Sequence, residues 1–221
     1  MKESFPFGLL KYFNDICPKF LNMPAQTQAQ PAPDPAPAPK RYSLEEYFDF
    51  EYNAPRKHEF WDGQIHAMAY TSPKHGEIQT NLSDALASCL KAKGCKRYIA
   101  DRMILVPECN KVFYPDLVIV CGEQQFHQHK KKMQATLNPS VIIEILSDST
   151  EQEDRIDKWM CYRTIPSLQQ YIMVQQNTPS IHSYRRKSER EWDYSYANKP
   201  EESISVLDCV IKVAEVYAGV A

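Results

Sequence analysis

Apolar and polar positions change period several times along the chain, and each change marks an element. From Ser72-Pro73 to Gly94, the residues Ile78, Leu82, Ala85, Leu86, Cys89 and Leu90 recur at helical spacing, which predicts a helix with proline in its first turn. The stretch "SLEEYFDFEY" offers Ser43 as N-cap with Glu46 three residues later, a capping box that opens a short helix. In "HEFWDGQIHAMA", Asp62-Gly63 separates two strand-forming runs, the signature of a two-residue hairpin turn. Further strands are predicted at 97–106, 116–120 and 141–146, then a helix from about 150 to 164, then strands near 170–175, 180–186 and 192–196. Hairpins alternate with crossovers, so the pattern predicts an α/β (α+β) fold: a mixed, mostly antiparallel sheet flanked by helices.

One stretch breaks the alternation. Residues 24–40 are almost entirely Pro, Ala and Gln, a composition that favours extended polyproline II and offers little to bury. This predicts a linker between an apolar segment at 1–23 and a body at 41–221. The segment is either a short helix that docks on the body or a partner, or an extension without a role.

Hydrophobic residues at 43% and charged residues at 24% suit a soluble globular protein. A net charge of −2 gives no bulk electrostatic case for a nucleic-acid partner, so any basic surface has to be local. Seven cysteines without a CxxC pair suggest neither a disulfide framework nor a zinc knuckle; they read as reduced thiols in a cytoplasm. Neither a signal peptide nor a stretch of membrane-spanning length is visible, so the sequence predicts no membrane association.

Within "VIIEILSDST", Glu144 lies near the end of an apolar strand, and in "YPDLVIVCG" Asp116 begins another. Antiparallel pairing would bring both carboxylates to one edge. Two close carboxylates repel unless a cation lies between them, and oxygen ligands suit Mg²⁺ or Mn²⁺. Metal-assisted phosphodiester hydrolysis also uses a lysine, which an E-x-K strand would supply at position 146. Position 146 is Leu, which leaves Lys158 in the following helix as its replacement. Alternatively, Lys158 and Asp154 form a solvated i, i+4 pair.

The stretches "HEFWDGQI" with "SPKHGEIQTNL", "YPDLVIVCG" and "VIIEILSDSTEQEDRIDKWMCYRTIPSLQQYIMV" resemble, in order, the Uma-two family (domain of unknown function 820) of the PD-(D/E)XK nuclease superfamily. The resemblance covers about 42 to 217. It implies a restriction-endonuclease-like core, a mixed four- to five-stranded sheet between helices. It also implies that Asp116 and Glu144 are metal ligands, joined by the backbone carbonyl of Ile145, that Lys158 is a displaced catalytic lysine, and that Glu59 is a further acidic site residue. Gln175 stands where the family usually carries aspartate.

Other positions keep two readings. His75 either contacts phosphate or a site carboxylate, or sits satisfied at the core edge. Arg155 and Tyr162 share the Lys158 stripe and are candidates to contact a substrate phosphate, although Tyr162 reads first as packing. Ser147 and Ser149 read as a helix cap or as site groups. The basic runs "HQHKKK" and "YRRKSER" read as solvated faces or as contacts to a nucleic-acid backbone. The expected function is a Mg²⁺-dependent endodeoxyribonuclease, a cytoplasmic homodimer acting on DNA. The alternatives are a catalytically inactive nuclease fold that binds nucleic acid or protein, and a hydrolase of smaller phosphoesters.

Overall fold

The computed structural model describes residues 40–130, 133–147 and 153–220, without the side chains of 153–155. These residues belong to one unit, Pro39–Ala221. In chain order the elements are α1 (Leu44–Asn53), β1 (His58–Trp61), β2 (Gln64–Ala67), α2 (Pro73–Ala92), β3 (Cys95–Ile99), β4 (Ile104–Val106), β5 (Lys111–Phe113) and β6 (Leu117–Cys121). There follow β7 (Phe126–Gln128), β8 (Gln134–Thr136), β9 (Val141–Leu146), a π-helical stretch Glu153–Lys158 that runs into α3 (Trp159–Tyr162), and β10 (Gln170–Gln175). The chain ends with β11 (Ile181–Arg186), β12 (Trp192–Ala197), β13 (Ser203–Val206), β14 (Cys209–Lys212) and α4 (Val213–Val216).

The strands form two six-stranded sheets, ordered β2-β1-β5-β4-β8-β7 and β12-β11-β10-β9-β6-β3, plus the β13-β14 hairpin. Pairing is antiparallel except for β9–β10 and β4–β8. Alternation along each strand assigns its faces. Leu117, Ile119, Val141, Ile143 and Ile145 pack under Ile78, Leu82, Leu86 and Leu90 of α2. Val118, Val120, Ile142 and Leu146 on the opposite face join Tyr162 and, from the first sheet, Ile104, Val106 and Phe113. The remaining face of the first sheet holds Phe60, Leu105 and Val112 against Tyr47 and Phe48 of α1. The layers therefore run α1, first sheet, second sheet, α2, and the shared apolar cluster lies between the sheets.

Local signals behave as their chemistry requires. Ser43 Oγ accepts from the Glu46 amide while Glu46 Oε2 accepts from the Ser43 amide, closing the capping box. Asp62 and Gly63 take φ of 45° and 93°, the left-handed pair that a two-residue hairpin turn demands. Ser72 caps α2 through the His75 amide.

Three expectations need correction. The single strand at 97–106 is two strands in different sheets, because Ala100 turns left-handed (φ 56°) and its amide donates to Asp116 O at 2.9 Å. Among the described residues the helix near 150–164 is π-helical at Glu153–Lys158 and α-helical at Trp159–Tyr162; its expected start at Thr150 lies outside them. The six cysteines among the described residues are also not free thiols: Cys89–Cys209, Cys95–Cys121 and Cys109–Cys161 are bonded. Sequence separations of 120, 26 and 52 residues concealed these pairs, since only strand register sets Cys95 opposite Cys121. Cys17 and the segments 1–23 and 24–39 lie outside the described residues.

Candidate active site between the two sheets

β6 and β9 run antiparallel with Leu117 opposite Ile143, so one step further places Asp116 across from Glu144. The Asp116 carboxylate is fixed on both oxygens. Its Oδ2 accepts from the Ile145 amide at 2.7 Å, and its Oδ1 lies 3.1 Å from His75 Nε2. Its backbone carbonyl accepts from the Gln79 side chain at 2.8 Å. Two turns of α2 thus clamp the start of β6. Because the N–H and C=O of one strand residue point to the same side, the Ile145 carbonyl is turned toward Asp116.

Glu144 is only 3% exposed. A carboxylate so far from water needs partners. Tyr162 donates to Glu144 Oε1 at 2.9 Å, and the Lys158 ammonium lies 3.6 Å from the same oxygen. Tyr162 is fully enclosed, and burial, followed by the nearby charges of Glu144 and Glu59, holds its phenol well above its ordinary pKa. It therefore stays a donor. Of the two expected readings of Tyr162, packing is what the structure shows; its hydroxyl is spent on Glu144 and enclosed from solvent, so it is not placed as the expected phosphate contact.

Lys158 also donates to Glu59 Oε1 at 2.9 Å. Glu59 comes from the first sheet, where the Trp61 indole N–H donates to its Oε2 at 3.1 Å and the Tyr114 amide lies 3.4 Å from its Oε1. Leu146, at the E-x-K position, is packed in the apolar cluster. The lysine therefore reaches the carboxylates from a helix. Two carboxylates, Glu59 and Glu144, face the ammonium, and a third, Asp116, lies across from Glu144 against His75, an acidic excess that favours a cation.

These groups line one cleft of about 510 Å³. It also takes in Ser147, Ser72 and Gln176, whose Oε1 accepts from the Ser72 hydroxyl at 2.9 Å. Gln175, the departure from the family pattern, is held by its backbone: its carbonyl accepts from Tyr217 at 2.7 Å. The side chain of Arg155 and all of Ser149 lie outside the described residues.

Pattern reading missed Trp61, His66 and Tyr70, which line the same cleft. Part of the signal was present. In the β1–β2 hairpin Glu59 pairs with His66 and Trp61 with Gln64, so the Asp62-Gly63 turn already sets Glu59, Trp61 and His66 on one face.

The two basic runs are largely engaged within the chain. Arg185 pairs with Asp208 at 2.9 Å and Lys187 with Asp193 at 3.0 Å. Arg186 donates to the carbonyls of Leu168, Arg163 and Ile165. Lys130 pairs with Asp49 at 2.9 Å, while Lys131 and Lys132 lie outside the described residues.

A mixed sheet that joins an aspartate and a glutamate from antiparallel strands beside a lysine is a nuclease-like fold. The solved structure of a "putative nuclease belonging to DUF820" from Anabaena variabilis superposes with a TM-score of 0.64 at 14% identity, over 81% of this chain and 99% of that one. The chain belongs to the Uma2 family, described as "Putative restriction endonuclease", whose model matches residues 44–214. Two uncharacterized Synechocystis proteins are similar as well. The protein sll1609 is 32% identical over 147 residues, 66% of this chain and 82% of its own length. The protein slr1290 is 31% identical over 184 residues, 82% of this chain and 94% of its own length.

Proposed function

We propose that the protein is a Mg²⁺- or Mn²⁺-dependent endodeoxyribonuclease acting through Asp116, Glu144, Lys158 and Glu59. The observation that carries this reading is the meeting of Asp116 and Glu144 across β6–β9, beside a buried lysine that links both sheets. No group of three His, Cys, Asp or Glu side chains forms a metal cage among the described residues. That suits Mg²⁺, which binds through one or two carboxylates and keeps several waters. The Asp116 and Glu144 carboxylates with the Ile145 carbonyl form an all-oxygen donor set, and the acidic excess of the cleft fits a divalent charge.

When bound, such an ion supplies Lewis-acid polarisation of a phosphate and a more acidic water. The chain's own groups do the rest. His75 and the Ile145 amide hold Asp116 in place, and Tyr162 holds Glu144. Lys158, held between Glu59 and Glu144, orients the attacking water and offsets negative charge that develops on the phosphate. Arg155 completes this proposal as a phosphate contact.

The division into segment, linker and body, the homodimer and the cytoplasmic setting belong to the same proposal. Among the described residues no helix is long and apolar enough to cross a membrane. Disulfides are rare in a reducing cytoplasm, so the three bonded cysteine pairs stand against that setting, and their redox state in protein isolated under alkylating conditions tests it. The function is tested by titrating Mg²⁺ and Mn²⁺ calorimetrically into wild type, Asp116→Ala and Glu144→Ala, then incubating each with supercoiled plasmid. Carboxylate-dependent binding with nicking is expected. Cleavage retained in either variant would overturn the assignment.

A further inference from the structure

The cleft has an uneven lining. Part of the lining carries the ionic groups Asp116, Glu144, Lys158 and Glu59; another part is formed by Trp61, His66, Met68 and Tyr70, with Trp61 and His66 on the hairpin face of Glu59. Trp61 joins them, because its indole N–H is bound to Glu59 while its ring meets His66 edge-on at 5.9 Å. Lys111 Nζ lies 4.2 Å over the Trp61 ring, a cation–π contact that helps hold the ring in place.

Tyr70 stands at the rim and is 92% exposed. Its loop is tied at both ends: the Met68 amide donates to Lys57 O at 3.0 Å, and Ser72 caps α2. Yet no hydrogen bond or ring contact holds the Tyr70 side chain among the described residues. An isolated surface tyrosine means little. An aromatic side chain held out on an anchored loop, on the same cleft as the ionic groups, is placed to receive a planar guest.

We infer that this aromatic part of the lining stacks an unpaired nucleobase, so that the cleft takes single-stranded or locally opened DNA rather than intact duplex. The inference rests on the nuclease reading and adds the substrate class to it. About 510 Å³ is the scale of one small-molecule guest, and bases inside a duplex have no free π-face to offer an aromatic wall. An extruded or unpaired nucleotide does. Stacking on aromatic side chains is tolerant of base identity, and the phosphate of the same nucleotide would meet the ionic groups.

The test uses the full chain carrying Glu144→Gln, without divalent metal, so that binding is read apart from cleavage. Probes are a single-stranded oligonucleotide containing 2-aminopurine, its duplex, and a duplex with a central bubble. Single-stranded and bubble DNA should bind at least about tenfold more tightly than duplex, with quenched 2-aminopurine fluorescence. Adding Tyr70→Ala should weaken single-strand binding about tenfold and remove the quenching, while Tyr70→Phe should preserve both. Preference for duplex, no binding to any probe, or equal binding with Tyr70→Ala would overturn the inference. Tyr70-dependent binding by a wild type that never cleaves would sink the nuclease reading and leave this one standing. Tyr70-independent duplex cleavage would do the reverse.

Discussion

Lys158 Nζ lies 2.9 Å from Glu59 Oε1, joining residues 99 positions apart in sequence and one sheet to the helix that follows the other. Side-chain exposures of 9% and 10% mark the pair as buried. Removing one member of a buried pair leaves an uncompensated charge, which costs about 3–5 kcal/mol. Lys158→Met strips the ammonium from both Glu59 and Glu144, so it should reach that range in metal-free urea unfolding. Glu59→Gln should cost less, because Lys158 keeps Glu144. Equal stability of wild type and Lys158→Met would show that the carboxylates do not depend on the lysine.

Divalent metal should raise stability through the same carboxylates. A ligand that binds only the folded state at a hundred times its Kd adds about 2.7 kcal/mol. Wild type should show such a gain with Mg²⁺ in urea unfolding, and Asp116→Asn and Glu144→Gln should show little. Lys158→Met should gain more than wild type, since the metal then replaces the lost positive charge. An identical gain in Asp116→Asn would place the metal elsewhere.

What the sequence made legible followed from local chemistry. The Ser43 capping box, the Asp62-Gly63 turn and the stripe of α2 each arise from residues within a few positions of one another. Asp116 and Glu144 were legible because one begins its apolar run and the other lies near the end of the next, and a single assumption, antiparallel pairing, joined them. Long-range register was not legible. The Lys158–Glu59 pair, the Cys95–Cys121 bond and the split of 97–106 depend on which strands become neighbours, and no periodicity encodes that. Trp61 and His66 fall between these cases, since the hairpin fixed their shared face with Glu59 but not what that face would meet.

The cysteine pairs are open to a direct check. Alkylation without reductant, read by mass spectrometry, should find Cys89, Cys95, Cys109, Cys121, Cys161 and Cys209 protected. In the chain-entropy model, closing the loop between Cys89 and Cys209, 120 residues apart, stabilises by about 5 kcal/mol. A Cys89→Ser/Cys209→Ser variant should lose a substantial part of that. Complete labelling of all six in the folded protein would show reduced thiols and restore the reading made from their spacing.

High pH should unfold the protein through its buried tyrosines. Burial is the main cause that lifts Tyr47, Tyr114 and Tyr162 well above the ordinary tyrosine pKa near 10, with Glu51 adding to the first two and Glu144 to the third. Tyr217, which donates to the Gln175 carbonyl, is pushed up to about 12, again chiefly by burial. A raised folded pKa means that the folded state keeps a proton which the unfolded chain releases. Each tyrosine's contribution is therefore complete below pH ~10 and is lost as pH rises toward its folded value. Each contributes a slope of about 1.4 kcal/mol per pH unit, so the four together give about 5.5 up to the folded value of Tyr217 and the remaining three about 4 beyond it. Urea unfolding at stepped pH should be flat with respect to these groups up to about 10 and fall steeply above it. Tyrosinate absorbance of these residues should appear only with unfolding. Tyr217→Phe should remove one proton's slope, about 1.4 kcal/mol per unit, between about pH 10 and 12 and leave the limb beyond it unchanged. If every tyrosine titrates near 10 in protein that remains folded, the phenols are wet, and Tyr162 is not the enclosed donor that holds Glu144.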